Sequence, residues 1–243
     1  MTSAMELALF LALGLLAEII GTVGGFGSSV FFVPMAQLFF DYKVVLGITG
    51  IFHVFSNSAK LALFWRSIDH RLALLIGIPS VTFVILGAYL TAHIDSEAAQ
   101  LSLGIFLVLL ALLFLLVPKL IIKPTNLNAA TGGGIAGFLA GLFGTGGAIR
   151  GATMVGFNLS KNVFVATSAA VDFAVDASRT VVYANQGYIG PEVYPHIAGL
   201  LGVAIIGSYI GKLILARISQ EQFRTIVLIL ILGVGAFTAY RAI

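Results

Sequence analysis

Cysteine is absent from the 243-residue chain, and charged residues make up only 9% of it. Without cysteine, the chain can form no disulfide bond, thiolate nucleophile or cysteine-ligated zinc site. Soluble domains carry a charge on about a quarter of their residues, so most of this surface is not suited to water. The motifs H-E-x-x-H and G-x-S-x-G are also missing. Their absence disfavours an intramembrane enzyme, and we expect no metal or cofactor.

Long apolar stretches dominate the sequence, since 59% of the residues are hydrophobic. A helix needs about 20 mostly apolar residues to cross the hydrocarbon core of a bilayer. Six stretches of about this length predict full crossings, at residues 44–65, 72–92, 101–117, 163–184, 194–215 and 223–240. The net charge of +3 comes from basic residues scattered at the ends of such stretches, which disfavours nucleic-acid binding.

Each half of the chain opens with two shorter apolar pieces, residues 7–20 and 26–40 and then 129–143 and 147–160. Helices of that length reach about 21 to 23 Å, which is short of a full crossing. Glycine-rich turns join the pieces, with the sequence GTVGGFG at 21–27 and GLFGTGG at 141–147. We therefore predict one helical hairpin in each half that re-enters the membrane, with its turn at depth.

The two halves resemble each other at an offset of about 120 residues. The turns align glycine with glycine, and the following helix repeats its polar positions. The pairs are Gly21 with Gly141, Gly24 with Gly144, Thr49 with Ser168, His53 with Asp172, Asn57 with Asp176, Lys60 with Arg179 and Phe64 with Tyr183. The predicted fold is an all-α polytopic membrane protein of two inverted repeats, residues 1–123 and 124–243, each a hairpin plus three transmembrane helices.

Basic residues indicate the orientation, because positively charged loops are kept preferentially in the cytoplasm. In this topology Lys43 and Arg241 lie on one side, and the other side carries Arg66, Arg71, Lys119, Lys123, Lys161, Lys212, Arg217 and Arg224. A hairpin plus three crossings ends opposite to where it began, so the second copy is inverted. We expect a multi-pass protein of the bacterial inner membrane with both termini outside.

Two polar faces lie within these apolar crossings. Their members, spaced i, i+4 and i+7, are His53, Asn57 and Lys60, and then Asp172, Asp176 and Arg179. Ionisable groups in hydrocarbon need a partner or a wet cavity, so both faces are candidate sites. Other roles stay open: Lys60 and Arg179 could reach the interface, and His53 could be an interior histidine. The aspartates could form structural ion pairs with Arg179 or Arg150.

The glycine-rich turns are a candidate anion site. Hairpins entering from opposite sides would bring the starts of their second helices together, at Ser28, Ser29, Ala148 and Ile149. Free amides and positive helix ends favour an anion there, although small residues also serve close helix packing. Arg150 follows the second turn and has the geometry that oxyanions prefer. Glu18, in the first hairpin, is a carboxylate that could carry a proton.

A glycine-rich hairpin followed by a proline, in a small duplicated chain with short loops, resembles the sulfite exporter TauE/SafE family, also called the toluene sulfonate uptake permeases. The likeness covers nearly the whole chain and is strongest at residues 21–34 and 141–154. Gly144-Thr-Gly-Gly147 fits the G-x-G-G turn of the family and Pro34 fits its proline, whereas Phe26 stands where a glycine is usual. The resemblance implies transport of sulfite, an organosulfonate such as taurine or sulfoacetate, or a related oxyanion, coupled to protons.

The leading hypothesis is a secondary transporter that alternates access between its two repeats. Substrate binding is assigned to Gly24, Gly25, Gly27, Ser28, Ser29, Asn57, Lys60, Gly144, Gly146, Gly147, Arg150 and Arg179. Proton coupling is assigned to His53, Asp172, Asp176 and Glu18. A passive anion channel, a carrier of another oxyanion such as a carboxylate, and a membrane scaffold are the alternatives. The expected partners are a small anion, protons and membrane lipid, and a homodimer is left open.

Overall fold

The computed structural model describes residues 4–25, 27–117, 122–157 and 159–217, and five positions between 232 and 240. Over the four continuous ranges the chain forms nine α-helices joined by turns and short 3₁₀ segments. The helices are α1 (Ala4–Gly24), α2 (Ser29–Ala36), α3 (Tyr42–Phe64), α4 (His70–Leu90), α5 (Ser96–Leu116), α6 (Asn126–Phe143), α7 (Gly147–Val155), α8 (Lys161–Asn185) and α9 (Tyr194–Leu215).

Five helical segments among the described residues are long and apolar enough to cross a membrane. They are Ala4–Gly24, Tyr42–Ser67, His70–His93, Ser96–Leu113 and Pro191–Leu215. The predicted class, an all-α polytopic membrane protein, is thereby confirmed. Helix α8 also forms where a crossing is predicted, but its charged residues make it less apolar than these five segments. Most of the crossing predicted at 223–240 lies outside the described residues, and so do Phe26, Lys119, Arg224 and Arg241.

The first hairpin helix is longer than its apolar stretch predicts. Helix α1 has 21 residues and reaches about 31 Å, so the expectation that it falls short of a crossing is wrong. Glycine and threonine at positions 21 and 22 interrupt the apolar stretch, yet both are buried, and packing overrides their weak helix propensity. Helices α2 and α7 have only 8 and 9 residues, about 12 and 14 Å, and cannot span.

Several helices begin at side chains that accept hydrogen bonds from the free amides of the first turn. Asp69 accepts from the amide of Leu72 at 3.0 Å, and Asp95 accepts from that of Ala98 at 3.1 Å. Thr125 does the same at the start of α6. Such caps satisfy backbone donors that have no partner within the helix, so they fix where α4, α5 and α6 begin.

Glycine brings α4 and α6 into direct backbone contact. Gly133, Gly137 and Gly141 recur every four residues on α6, and a methyl group at any of them would collide with the backbone of α4. Ser80 of α4 adds a hydrogen bond to the carbonyl of Gly133 at 2.8 Å. Close approach of this kind is how helices associate in lipid, where apolar burial drives no association. Gly141 therefore serves packing as well as the turn.

The helices of the two halves pack in matching pairs around α3 and α8. Helix α1 packs against α9 as α6 packs against α4, and α3 packs against α9 as α8 packs against α4. Helices α3 and α8 pack against each other between these pairs. The central position of α3 and α8 places their polar faces inside the protein. The inversion of the repeats and the re-entrant hairpins stay predictions.

Candidate functional site

The two predicted polar faces meet where α3 crosses α8. Asn57 donates a hydrogen bond from Nδ2 to Oδ2 of Asp176 at 2.8 Å. Nδ1 of His53 lies 3.7 Å from the same carboxylate oxygen. These three side chains are buried, and His53 and Asn57 belong to a helix that is long and apolar enough to cross a membrane. The faces therefore contact each other and do not point towards lipid.

Glu18 lies at the centre of a second polar cluster. Its side chain is fully buried, with 0% exposure, and Lys60 Nζ lies 3.0 Å from its Oε1 atom. Four hydroxyl groups also donate to this carboxylate, those of Thr22 at 2.9 Å, Ser28 at 2.7 Å, Ser56 at 2.7 Å and Ser208 at 2.8 Å. Burying a charge is unfavourable unless it is paired and hydrogen-bonded, and here both conditions are met.

Two buried arginines pair with the two aspartates of α8. Arg179 donates to Oδ1 of Asp176 from Nε at 2.8 Å, and from NH1 to the carbonyl of Ala140 at 3.0 Å. Arg150 donates from NH1 and NH2 to the two carboxylate oxygens of Asp172, as a bidentate pair. The alternative in which the aspartates pair with Arg179 and Arg150 is therefore what the geometry shows.

The cations of the predicted substrate site are buried, and each is already paired. Lys60 is 5% exposed and Arg179 is 1% exposed, so the alternative in which they reach the membrane interface is wrong. Lys60 faces Glu18, Arg179 faces Asp176 and Arg150 faces Asp172. In this conformation, an anion that approached any of these cations would compete with its carboxylate.

The two glycine-rich turns touch each other. The hydroxyl of Ser29, at the start of α2, donates to that of Thr145 in the second turn at 3.3 Å. Gly25, Gly27 and Gly144 have φ angles of 72°, 92° and 73°, which other residues rarely adopt. Helix α1 ends at Gly24, and α7 starts at Gly147 after an N-cap at Gly146. Glycine thus sets the course of both turns.

A small cavity lies between the first turn and the polar faces. Its lining includes Gly25, Gly27, Asn57, Lys60, Ser168 and Asp172. Its volume is about 10 Å³, which is the size needed for one water molecule. An oxyanion with several heavy atoms does not fit without movement of the surrounding side chains.

Ser28 connects the two polar clusters. Its hydroxyl donates to Oε2 of Glu18 at 2.7 Å and lies 3.2 Å from Nε2 of His53. The other ring nitrogen of His53 faces Asp176. The tip of the first hairpin therefore joins a carboxylate of the first half to one of the second. Histidine and serine are groups that can pass a proton between such carboxylates.

Comparison with known proteins places this architecture in a family. The model of the sulfite exporter TauE/SafE family matches residues 10–238. The chain belongs to this family. The probable membrane transporter protein YunE of Bacillus subtilis is 28% identical, with 93% of each chain covered. The probable membrane transporter protein MJ0441 of Methanocaldococcus jannaschii is 30% identical, over 94% of this chain and 93% of that one.

No solved structure matches the chain. The family and both relatives are described as membrane transporters or exporters, and none as an enzyme. Together with the five apolar helices, this makes the TauE/SafE protein a multi-pass membrane transporter.

Sequence reasoning missed several hydroxyl groups of the site. Ser56 lies one turn before Lys60 and Thr22 one turn after Glu18, so the helical spacing could have revealed both. Thr145 lies within the second glycine turn. Ser208 is separated from Glu18 by 190 positions, and no local pattern connects them. Only the packing of α9 against α1 brings this hydroxyl to the carboxylate.

Proposed function

We propose that this TauE/SafE family protein is a secondary transporter that moves a small sulfur-containing anion, such as sulfite or a sulfonate, across the cell membrane with protons. The observation that carries the proposal is the set of three buried cation–carboxylate pairs beside two glycine-rich turns. Ionisable groups within membrane helices are by default candidates for a substrate or proton pathway.

The cations supply the affinity for an anion. Guanidinium groups present parallel N–H donors that match the oxygen geometry of a sulfonate or sulfite, and backbone amides at the turns add further donors. Lys60, Arg150 and Arg179 are the cationic partners. Gly25 and Gly27 line the cavity together with Lys60, and Gly144 lies beside Arg179.

The carboxylates supply the coupling to protons. A carboxylate that holds a buried cation must leave before an anion takes its place, and protonation weakens its hold because the neutral group no longer attracts the cation. Asp172, Asp176 and Glu18, with His53 between two of them, are the candidate carriers.

Movement of the two repeats against each other would open the site to each side in turn. The proposed arrangement has inverted repeats, with hairpins that enter from opposite sides and with both termini outside the bacterial inner membrane. The small volume of the cavity leaves no open pore for an anion, which supports a carrier that must rearrange over a passive channel.

Uptake by reconstituted liposomes tests the proposal. Labelled sulfoacetate, taurine and sulfite are offered with and without an imposed pH gradient, and protein-free liposomes give the background. We expect saturable uptake that the gradient enhances. Flux indifferent to the gradient would favour a uniporter or channel, and the absence of flux would exclude these anions as substrates.

Variants test the assignment of the cations. Arg179→Met and Lys60→Met are each expected to abolish saturable uptake. Glu192→Gln, in an exposed loop, removes a charge outside the site and serves as the control. Unchanged uptake by both cation variants would show that neither Lys60 nor Arg179 is needed for substrate binding.

A further inference from the structure

Resting on that transport function, we propose that Asp172 occupies the place of the substrate anion on Arg150. Protonation of Asp172 exchanges it for the anion, so that one proton travels with each monovalent anion. Arg150 and Asp172 then form the coupling site, and Lys60 and Arg179 stay paired with their own carboxylates beside it.

The geometry of the pair is that of an arginine bound to an oxyanion. Both terminal nitrogens of Arg150 donate to the two oxygens of Asp172, and Nε donates to the hydroxyl of Ser168 at 3.2 Å. A sulfonate presents two of its oxygens to a guanidinium in the same bidentate way. The carboxylate thus already makes the two contacts that a substrate would make.

Asp172 is the paired carboxylate with access to the cavity. Its side chain is 13% exposed, against 4% for Asp176 and 0% for Glu18. Its carboxylate belongs to the lining, and the position of a methyl group on Gly27 would lie 3.9 Å from Oδ2. The exchange would therefore occur directly below the first glycine turn.

The other two carboxylates are held by more bonds from the protein. Asp176 accepts from Asn57 as well as from Arg179, and Glu18 accepts from four hydroxyl groups and lies against Lys60. Releasing either one would leave several buried donors without an acceptor, at about 1–3 kcal/mol for each. Asp172 has hydrogen bonds in the described part of the chain only from Arg150, so its release disturbs least.

Charged groups surround Asp172 on the elements packed against α8. Helix α7 contributes Arg150, and α3 contributes Lys60 and His53, while α8 itself carries Asp176 and Arg179. On α4 the charged or titratable groups are His70 and Arg71 in the first turn and Tyr89 near the end. Lys60 is balanced by Glu18, and Arg179 by Asp176, which leaves Arg150 as the cation that Asp172 alone neutralises.

The exchange conserves charge and protons. A proton from the aqueous compartment forms an O–H bond on the Asp172 carboxylate, whose two hydrogen bonds from Arg150 pass to the anion. The pair is neutral before and after, because the anion replaces the carboxylate charge. On the far side the anion leaves, the proton is released and the carboxylate returns to Arg150. Transport of a monovalent anion is thus electroneutral.

Methanesulfonate is the probe, because it carries one charge over the whole pH range of the assay. Wild-type protein in liposomes should take it up in response to a pH gradient and ignore an imposed membrane potential. In Asp172→Asn, uptake should ignore the pH gradient and follow the potential. The apparent affinity should change about tenfold per pH unit in wild type and about twofold or less in the variant.

Two further variants isolate the carboxylate that matters. Asp172→Glu should keep the response to the pH gradient, because the titratable group is preserved. Uptake by Asp176→Asn should also respond to the pH gradient, even if that uptake is slower, because the partner of Asp176 is Arg179. A pH response in Asp172→Asn equal to that of wild type overturns the inference while the proposed transport function stands. No proton-driven uptake of any sulfur anion by wild type overturns the function itself.

A measurement on the unmodified protein covers the case in which Asp172→Asn fails to fold with Arg150 unpaired. Adding methanesulfonate to wild-type protein in weakly buffered detergent should raise the pH of the solution. The expected uptake is about one proton for each bound anion, by the linkage between binding and protonation. Binding without proton uptake, or no binding of methanesulfonate, overturns the inference.

Discussion

Replacing Glu18 by glutamine removes the charge that balances Lys60 while nearly keeping the volume of the side chain. Lys60 Nζ lies 3.0 Å from the carboxylate, and both side chains are inside the protein. Breaking a buried pair by removing one partner costs about 3–5 kcal/mol, because the remaining charge is uncompensated. We expect the Glu18→Gln variant to lose about this much free energy of unfolding.

The double variant Glu18→Gln/Lys60→Met should recover most of that loss. With both charges gone no uncompensated ion remains, and buried pairs replaced by neutral groups are often close to wild type in stability. The four hydroxyls around position 18 can rotate to hydrogen-bond an amide as well as a carboxylate. The loss of unfolding free energy in the double variant should be smaller than the sum of the two single losses by about 2 kcal/mol or more.

Reversible unfolding in mixed detergent, followed by circular dichroism, measures these free energies. The exposed loop residue Glu192, changed to glutamine, is the control and should stay within about 0.5 kcal/mol of wild type. A Glu18→Gln variant as stable as this control, or strictly additive single changes, would refute the ion pair.

Two further contrasts test the glycine turn and the hydroxyl groups around Glu18. Gly144→Ala should lose more stability than Gly187→Ala in a thermal-unfolding comparison. Both positions have positive φ, 73° and 77°, but an added methyl group meets neighbours only at the first. Placing alanine at a positive φ costs about 1–2 kcal/mol at either position, and steric overlap of its methyl group adds about 1–3 kcal/mol at position 144 only. Equal losses of stability would therefore contradict the packing of the turn. Ser208→Ala should cost about 1–3 kcal/mol, because it removes a buried donor to Glu18, and the exposed Ser58→Ala should be near neutral. Unfolding of the two serine variants side by side measures this, and equal stability would contradict it.

Helical spacing alone predicted the polar faces of α3 and α8. Residues four and seven apart on a helix lie on one side, so His53, Asn57 and Lys60 had to share a face whatever the fold. Because a charged side chain is energetically unfavourable in hydrocarbon, this face was expected to point inwards. The structure agrees, since Asn57 contacts Asp176 across the two helices.

Ion-pair partners could not be read from spacing. The aligned positions Lys60 and Arg179 suggested two cations at one substrate, whereas each pairs with a different carboxylate. Lys60 of α3 reaches Glu18 of α1 because α9 packs against both helices, and the strength of an ion pair depends on such distances. The length of α1 was missed for a similar reason, because buried residues extend the helix beyond its apolar stretch.

The amino-acid sequence by itself determined that the protein lies in a membrane and is helical. It also gave the duplicated glycine turns, the resemblance to the TauE/SafE family and the residues of the polar faces. The membrane environment, the helical class and the polar faces follow from composition and from the fixed period of the helix, whereas the resemblance rests on the repeated glycine-turn motifs; none of these needs a tertiary contact. Only the tertiary structure decided which cation faces which carboxylate, that Ser208 supports Glu18 and that Asp172 borders the cavity. Those facts depend on distances of a few ångströms between residues far apart in the chain, which packing alone sets.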